Sequence, residues 1–292
     1  MVGYKRLDMP GTRFACVLRT LGRRVLTGGI LPLLAFAPLA WVCPAHAVTY
    51  TPGAYSYTVP AGVTQVTVKV AGGGGGMGGS DDGNGVAGGR GHVISATLNV
   101  TPGQIISGTV GAGGVRGAQG TAAPGGAGAA GTGSGGAGGA SGAVNYSGSG
   151  GGGGGGSSLA LAGTVILKAG GGGGGQGASK NSPSNLAGGN ASTFTADANC
   201  SASGNGAAGA SFSGDGGGGG GGGGGYTGGV GGTGHADGAS GGSASGAGTS
   251  CRSNNAALFA VAPTAAQGNQ ASGIIVSNGP AGYVTIDAVL SP

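Results

Sequence analysis

Glutamate is missing from this chain: the seven acidic residues are all aspartates, and charged residues make up only 7% of its 292 positions. Acid–base or nucleophilic chemistry needs titratable groups gathered together with tuned pKa values. Groups this few and this dispersed argue against an enzyme. Aromatic residues are as scarce, at 4%, and the single tryptophan, Trp41, falls in the N-terminal segment. A large aromatic core is therefore excluded. After residue 47 no apolar stretch is long enough to span a bilayer, so no membrane span is expected there.

Residues 1–47 read as a secretory leader. Six basic residues (Lys5, Arg6, Arg13, Arg19, Arg23 and Arg24) precede an apolar stretch over 29–42, and Ala45, His46 and Ala47 form an A-x-A cleavage site. Arg23 and Arg24 leave a twin-arginine route open beside the general one, while Cys43 sits in no lipoprotein box. The leader accounts for the formal charge of +5, being six basic residues less Asp8. The remaining basic residues (Lys69, Arg90, Arg116, Lys168, Lys180, Arg252) are balanced by Asp81, Asp82, Asp197, Asp215, Asp237 and Asp287. A near-neutral chain offers no basic surface for nucleic acid. Of four cysteines, only Cys200 and Cys251 follow the leader, and pairing is the default in an exported chain. One domain is expected over 48–292.

Glycine is what the chain has instead: 82 residues, with runs at 72–76, 150–156, 170–175 and 216–225. The last is the longest and reads as the stretch around which the rest is organised. Ordering glycine carries the largest backbone entropy cost and buries no side chain in return. A polyproline-II-type helix, with three residues per turn and ~3.1 Å rise, offers a way to order such runs. Its N–H and C=O groups all point outward, so helices without Cβ atoms can pack side by side and bond to one another. Glycine at 125, 128 and 131, then in a new phase at 133, 136, 139 and 142, keeps that three-residue period. A Cβ at mid-run Gly221 is expected to force neighbours apart. Gly188, in the polar loop-like stretch 176–215, is expected to tolerate one.

Between the glycine runs lie short β-like segments. Tyr55, Tyr57 and Val59, then Val66, Val68 and Val70, alternate with small or polar residues. Ile94, Ala96, Leu98 and Val100 share one face of a strand that ends at Thr101, Pro102 and Gly103. That turn is expected to return 104–110 as its hairpin partner. A second hairpin pairs Leu159 and Leu161 with 165–167 across Gly163, and 258–261, 274–276 and 282–289 close the chain as strands. These segments suffice for a small antiparallel sandwich.

Motif readings for chemistry are weak. Residues 238–242 fit G-x-S-x-G around Ser240, with His235 and Asp237 nearby, but no strand–turn–helix context supports a nucleophile elbow. Asp81 and Asp82 open a calcium-like loop that lacks the bidentate glutamate, and a turn is the better reading. His92 and His235 have no ligand-spaced partners, so neither metal nor cofactor is expected. Tyr226 is read as a cap on the longest run. Polar variety concentrates in 178–200 and 233–255, where Lys180, Asn181, Asn185, Asn190, Asp197, His235, Asp237, Arg252 and Asn254, with Tyr226 beside them, are the candidate binding residues.

The order VPAGVTQVTVKVAGGGGG, ISATLNVTPGQIISGTVGAGG, GGGGGGSSLALAGTVILKAGGGGGG, GGGGGGGGGGYTGG and GYVTI resembles the glycine-rich domain family of bacterial and phage surface proteins. It is also similar to the glycine-rich ectodomain of the anaplastic-lymphoma and leukocyte receptor tyrosine kinases. The resemblance covers nearly all of 54–288. It implies an all-β, jelly-roll-like antiparallel sandwich carrying inserted, packed polyglycine-II helices. In the receptors the region binds a cytokine, and in phage tail tips such helices present receptor-binding loops. The expected function is an exported structural or adhesive protein at the cell surface, in the periplasm or outside the cell, with a surface glycan or protein as partner. A soluble carbohydrate- or ligand-binding module is the alternative. An ice-binding protein would need a flatter, more regular threonine or alanine face than 125–142 suggests.

Overall fold

Alternation of valine with polar residues builds the first of two sheets. In the computed structural model, which describes residues 47–81, 85–180, 186–239, 242–268 and 277–290, β3 (Val63–Ala71) buries Val66, Val68 and Val70 and turns Lys69 outward. It lies between β4 (His92–Asn99) and β15 (Tyr283–Leu290), and all these contacts are antiparallel. Beyond β15 comes β1 (Val48–Tyr50), and beyond β4 the edge strand β14 (Phe259–Gln267). Register shifts on either side of Val261 break the β14 ladder, and Pro263, with no N–H to donate, fits there and blunts the edge.

The second sheet runs β10 (Phe194–Asp197), β13 (Ser250–Ser253), β9 (Thr164–Ala169), β8 (Ser157–Leu161), β5 (Ile105–Val110), β2 (Gly53–Thr58). Only β10 and β13 pair in parallel among the described strands. The sheets face each other through β3 and β4 against β8 and β9. Ile94, Leu98 and Ile286 from one side and Ile106, Leu159, Ile166 and Leu167 from the other fill the interior. The chain is thus the expected all-β sandwich.

Three expectations are corrected. The turn at Thr101 to Gln104 forms, with Gly103 at φ +81°, but β5 does not pair with β4. Both edges of β4 are taken, by β3 and β14, so the turn arches across the core and delivers β5 to the opposite sheet between β2 and β8. The stretch 176–215 is no loop, since it contains β10 and the runs 186–191 and 204–212, which bond through their N–H groups to 85–91 and 243–249 and to 133–142 and 229–232 respectively. Similarly, 233–255 contains β13 and, ahead of it, the run 243–249, which bonds to 170–178 and 217–225. The expected leader up to residue 46, Asp82, Asn181, Asn185, Ser240 and the expected strand at 274–276 lie outside the described residues.

Strands β3, β5 and β9 run directly into the extended segments 72–79, 111–118 and 170–178, while 85–91, 148–156, 243–249 and 277–282 lead into β4, β8, β13 and β15. Between 148 and 156 the N–H groups of Gly148, Gly151 and Gly154 donate to 170–178. Those of Ser149, Gly152 and Gly155 donate to 111–118, and those of Gly150, Gly153 and Gly156 to 133–142. The carbonyls rotate in the same way, accepting from 72–79, 126–132 and 217–225. Six neighbouring runs therefore surround this one, each bonded at every third residue. The runs 170–178 and 217–225 are enclosed likewise, each also bonding to 243–249. The centre of the array is thus shared by these three runs and does not belong to 216–225 alone.

The phase break read at 131–133 is a turn. Gly133, at φ +82°, reverses the chain so that Gly135, Gly138 and Ser141 donate back to Ala129, Gly126 and Ala123. Gly188 belongs to the array too, because a Cβ there would collide with the carbonyl of Gly173. Its expected tolerance is therefore corrected.

Candidate functional site

A run inside the array finds neighbours on all sides, but a run at its margin leaves N–H groups pointing away. Side chains take them up. Asn190 Oδ1 accepts from Arg90 N at 2.8 Å, Asn205 Oδ1 from Ser134 N at 2.9 Å, and Asn278 Oδ1 from Arg116 N at 3.0 Å. Ser211 Oγ accepts from Ala140 N at 3.0 Å, and Ser141 Oγ from Ala123 N at 2.8 Å. Buried Gln176 bridges two runs, accepting from Leu186 N and donating to Thr233 O. Leaving such groups unpaired would cost about 1–3 kcal/mol each where buried. Asn190 thus caps a marginal run while its side chain stays exposed.

Because consecutive runs alternate in direction, their connections gather at two ends, separated by an eight-residue run of roughly 25 Å at ~3.1 Å per residue. The sandwich end holds the Cys200–Cys251 disulfide, with Cα atoms 5.6 Å apart across a separation of 51 residues. Beside it the Tyr226 hydroxyl donates to Asp197 Oδ2, and Ala198 N donates to Asp197 Oδ1 at 2.6 Å. The bond from Tyr226, more than the one from Ala198, holds the Asp197 carboxyl below its ordinary range, and the same bond raises the Tyr226 phenol. Asn254 N donates to Asp197 O at 2.7 Å, and Arg252 is half-buried on β13 opposite Leu167. The Lys168 amine is buried and donates to the carbonyls of Ser201 and Ala202. Burial lowers its pKa to about 8. His92, whose Nδ1 lies 2.7 Å from Ser250 Oγ, meets Phe194 edge-on and is lowered by burial.

The far end holds the other candidates. Lys180 is exposed there. His235 is buried on β12 (His235–Ala236), which pairs with β11 (Gly216–Gly217), and its Nε2 lies 3.2 Å from Ser179 Oγ. Its Nδ1 is buried without a hydrogen-bond partner. Burial lowers its pKa, with the charge of Asp237 opposing. β6 (Gln119–Gly120) and β7 (Ser147–Gly148) form a second small ribbon. Between these ribbons Asp215 joins the connections: Oδ2 accepts from Asn145 Nδ2 at 2.7 Å, Oδ1 from Ser147 Oγ at 3.4 Å, and its carbonyl from Asp237 N at 2.7 Å. Thr121 Oγ1 donates to Asn145 O at 2.9 Å.

The candidate residues are therefore split. Asp197, Tyr226, Arg252 and Asn254 lie at the sandwich end, bonded into the fold, whereas Lys180, His235 and Asp237 lie at the far end. Sequence reasoning passed over Asn145, Tyr146 and Asp215 because each stands between low-complexity runs; the signal was that all three sit where a run changes direction. Among the described residues no three histidine, cysteine or carboxylate groups converge as metal ligands, and no helix is long and apolar enough to cross a membrane. A cleft of about 280 Å³ opens where sandwich meets array, lined by Val93, Gln267, Pro280 and Tyr283 among others. No family model matches the chain, and no curated protein matches it.

Proposed function

We propose that this is an exported, non-enzymatic presenting protein, whose packed polyglycine-II helices hold the far-end connections for recognition of a partner at a cell surface. The observation that carries this reading is the enclosure of 148–156, 170–178 and 217–225, which sets the far-end connections 143–147 and 213–216 on braced runs. Stiffness of that kind lowers the ordering cost of binding. The far end exposes Lys180, Asn145 and Tyr146 on connections between runs, which makes it the recognition surface in this reading. A disulfide in an otherwise cysteine-free described chain supports export, since such bonds persist in oxidising compartments. The order of strands and runs that resembles the glycine-rich domain family points the same way.

The test is attachment of the labelled, leader-free protein to candidate cells. Replacing the connection 143–147 together with 213–215 by Gly-Ser of equal length should abolish attachment. Exchanging the sandwich-end connection 51–52 should not. Attachment that survives the far-end replacement, or turnover of an ester, glycoside or peptide by the purified chain, would overturn the proposal.

A further inference from the structure

The far-end connection 143–147 carries an exposed ring on a fixed backbone. Tyr146 keeps 67% of its surface exposed, matched among the large apolar side chains of the described residues only by Val230. Asn145 before it is held at φ +59°, a left-handed conformation that asparagine tolerates better than most residues. The Asp215 carboxylate fixes both flanks, bonding Asn145 Nδ2 at 2.7 Å and Ser147 Oγ at 3.4 Å, while Thr121 holds the Asn145 carbonyl. Ser147 is itself buried and paired to Gly120. A tyrosine presented this way loses little entropy when it is covered.

The chemistry beside the ring selects a class of ligand. A carboxylate has about four lone-pair sites, and Asp215 uses two of them. Asn145 uses one amide hydrogen and keeps the other together with its Oδ1. A pair of neighbouring hydroxyls can donate to Asp215 and accept from Asn145 at once, while a ring's C–H face lies on Tyr146. A protein partner would call for a broader apolar core around the anchor. Here Thr121, Asn145, Ser147 and Asp215 make the connection polar, and Ala143 and Val144 are the exposed apolar residues that precede Asn145 in it. The carboxylate of Asp215, next to the ring-bearing connection, disfavours an acidic sugar at this position. We propose that Tyr146, Asn145 and Asp215 form a subsite for one ring of a neutral glycan, an assignment that rests on the far-end presentation proposed above.

The experiment sets the leader-free protein on an array of neutral, sialylated and uronate-containing oligosaccharides, in parallel with attachment to cells. Neutral glycans should be retained, and Tyr146→Ala should weaken their Kd at least about tenfold with an unchanged melting temperature. Asn145→Gly keeps the left-handed backbone and should weaken binding while preserving the fold. Neutral binding that Tyr146→Ala and Asn145→Gly both leave intact overturns the subsite, as does preference for the acidic sugars. Cell attachment that depends on 143–147 but shows no glycan on the array overturns the sugar and leaves presentation standing. Absence of both attachment and glycan binding removes presentation and the subsite with it.

Discussion

A glycine at the centre of the array is defined by what its missing Cβ would strike. At Gly221 that atom would collide with the carbonyl of Gly136, and at Gly188 with that of Gly173. Neither carbonyl can yield without breaking its own bonds. Alanine at either position should therefore destabilise by about 3 kcal/mol or more, the upper range for overpacking. Ala208→Val, on an exposed flank of 204–212, should stay within about 0.5 kcal/mol. Thermal melts of the three variants test this, and a mild Gly188→Ala would mean that 186–191 is not part of the array. Lys168 offers a prediction in pH. Burial depresses its folded pKa from 10.5 to about 8, so between those values the unfolded chain holds more protons than the folded one. The cost of burying the charge is fully present below pH 8 and fades as pH rises toward 10.5. Stability should accordingly rise from pH 8 to 10, and Lys168→Met should remove the rise. Above pH 10 the buried Tyr55 phenol, raised chiefly by its burial, acts in the opposite sense. Denaturant midpoints across that window, wild type against Lys168→Met, decide it.

At the scale of the element, a run of identical residues has a property that a strand lacks. One glycine added within 217–225 leaves every bonding position occupied by the next glycine along, because the run can slide one residue and pass the slack to the connection at 213–216. An alanine added at the same point cannot be passed along without entering the array. The glycine insertion should lower the melting temperature by a few degrees at most, and the alanine insertion should match Gly221→Ala; equal losses would show that the run is fixed in register. The same uniformity explains which elements could be read from sequence. β3 and β4 were legible because a half-buried strand alternates, and the β8–β9 hairpin because two short apolar segments flank Gly163; the change of phase at 131–133 was visible, but not that it marks a turn. β10 and β13 gave no such signal: Phe194–Asp197 and Ser250–Ser253 are short, polar and paired in parallel beside a disulfide. The runs 204–212 and 243–249 hid behind Ser, Asn and Ala, residues that read as loop. Tyr226, Asp197 and Asn190 looked like ligand contacts because their internal partners lie 29 to 100 residues away in the chain. Asn145 and Asp215 meet only because two connections 70 residues apart in the chain end side by side.

For the whole molecule, the question is whether sandwich and array are one cooperative unit and what stabilises it. Seven strand ends cross the seam with no linker, at residues 71–72, 91–92, 110–111, 156–157, 169–170, 249–250 and 282–283. Loss of the array would leave those strands without the bonds that align their ends, and loss of the sandwich would release the array's anchors. A single unfolding transition follows, with calorimetric and van't Hoff enthalpies equal. The heat capacity is the more searching quantity. Ordinary domains bury mostly apolar surface, and on unfolding gain about 12–15 cal/mol/K per residue. Exposure of polar surface contributes with the opposite sign. Much of what this fold buries is peptide backbone, since the three enclosed runs are almost side-chain-free and bonded throughout. The increment per residue of the leader-free chain should therefore fall clearly below the ordinary range, to about 10 cal/mol/K or less. A smaller increment flattens the stability curve, so stability should change little between about 5 and 40 °C. Scanning calorimetry at several pH values yields the increment from the slope of enthalpy against melting temperature. An ordinary value would mean that apolar burial in the sandwich dominates the molecule, and two resolved transitions would mean that the array stands or falls alone.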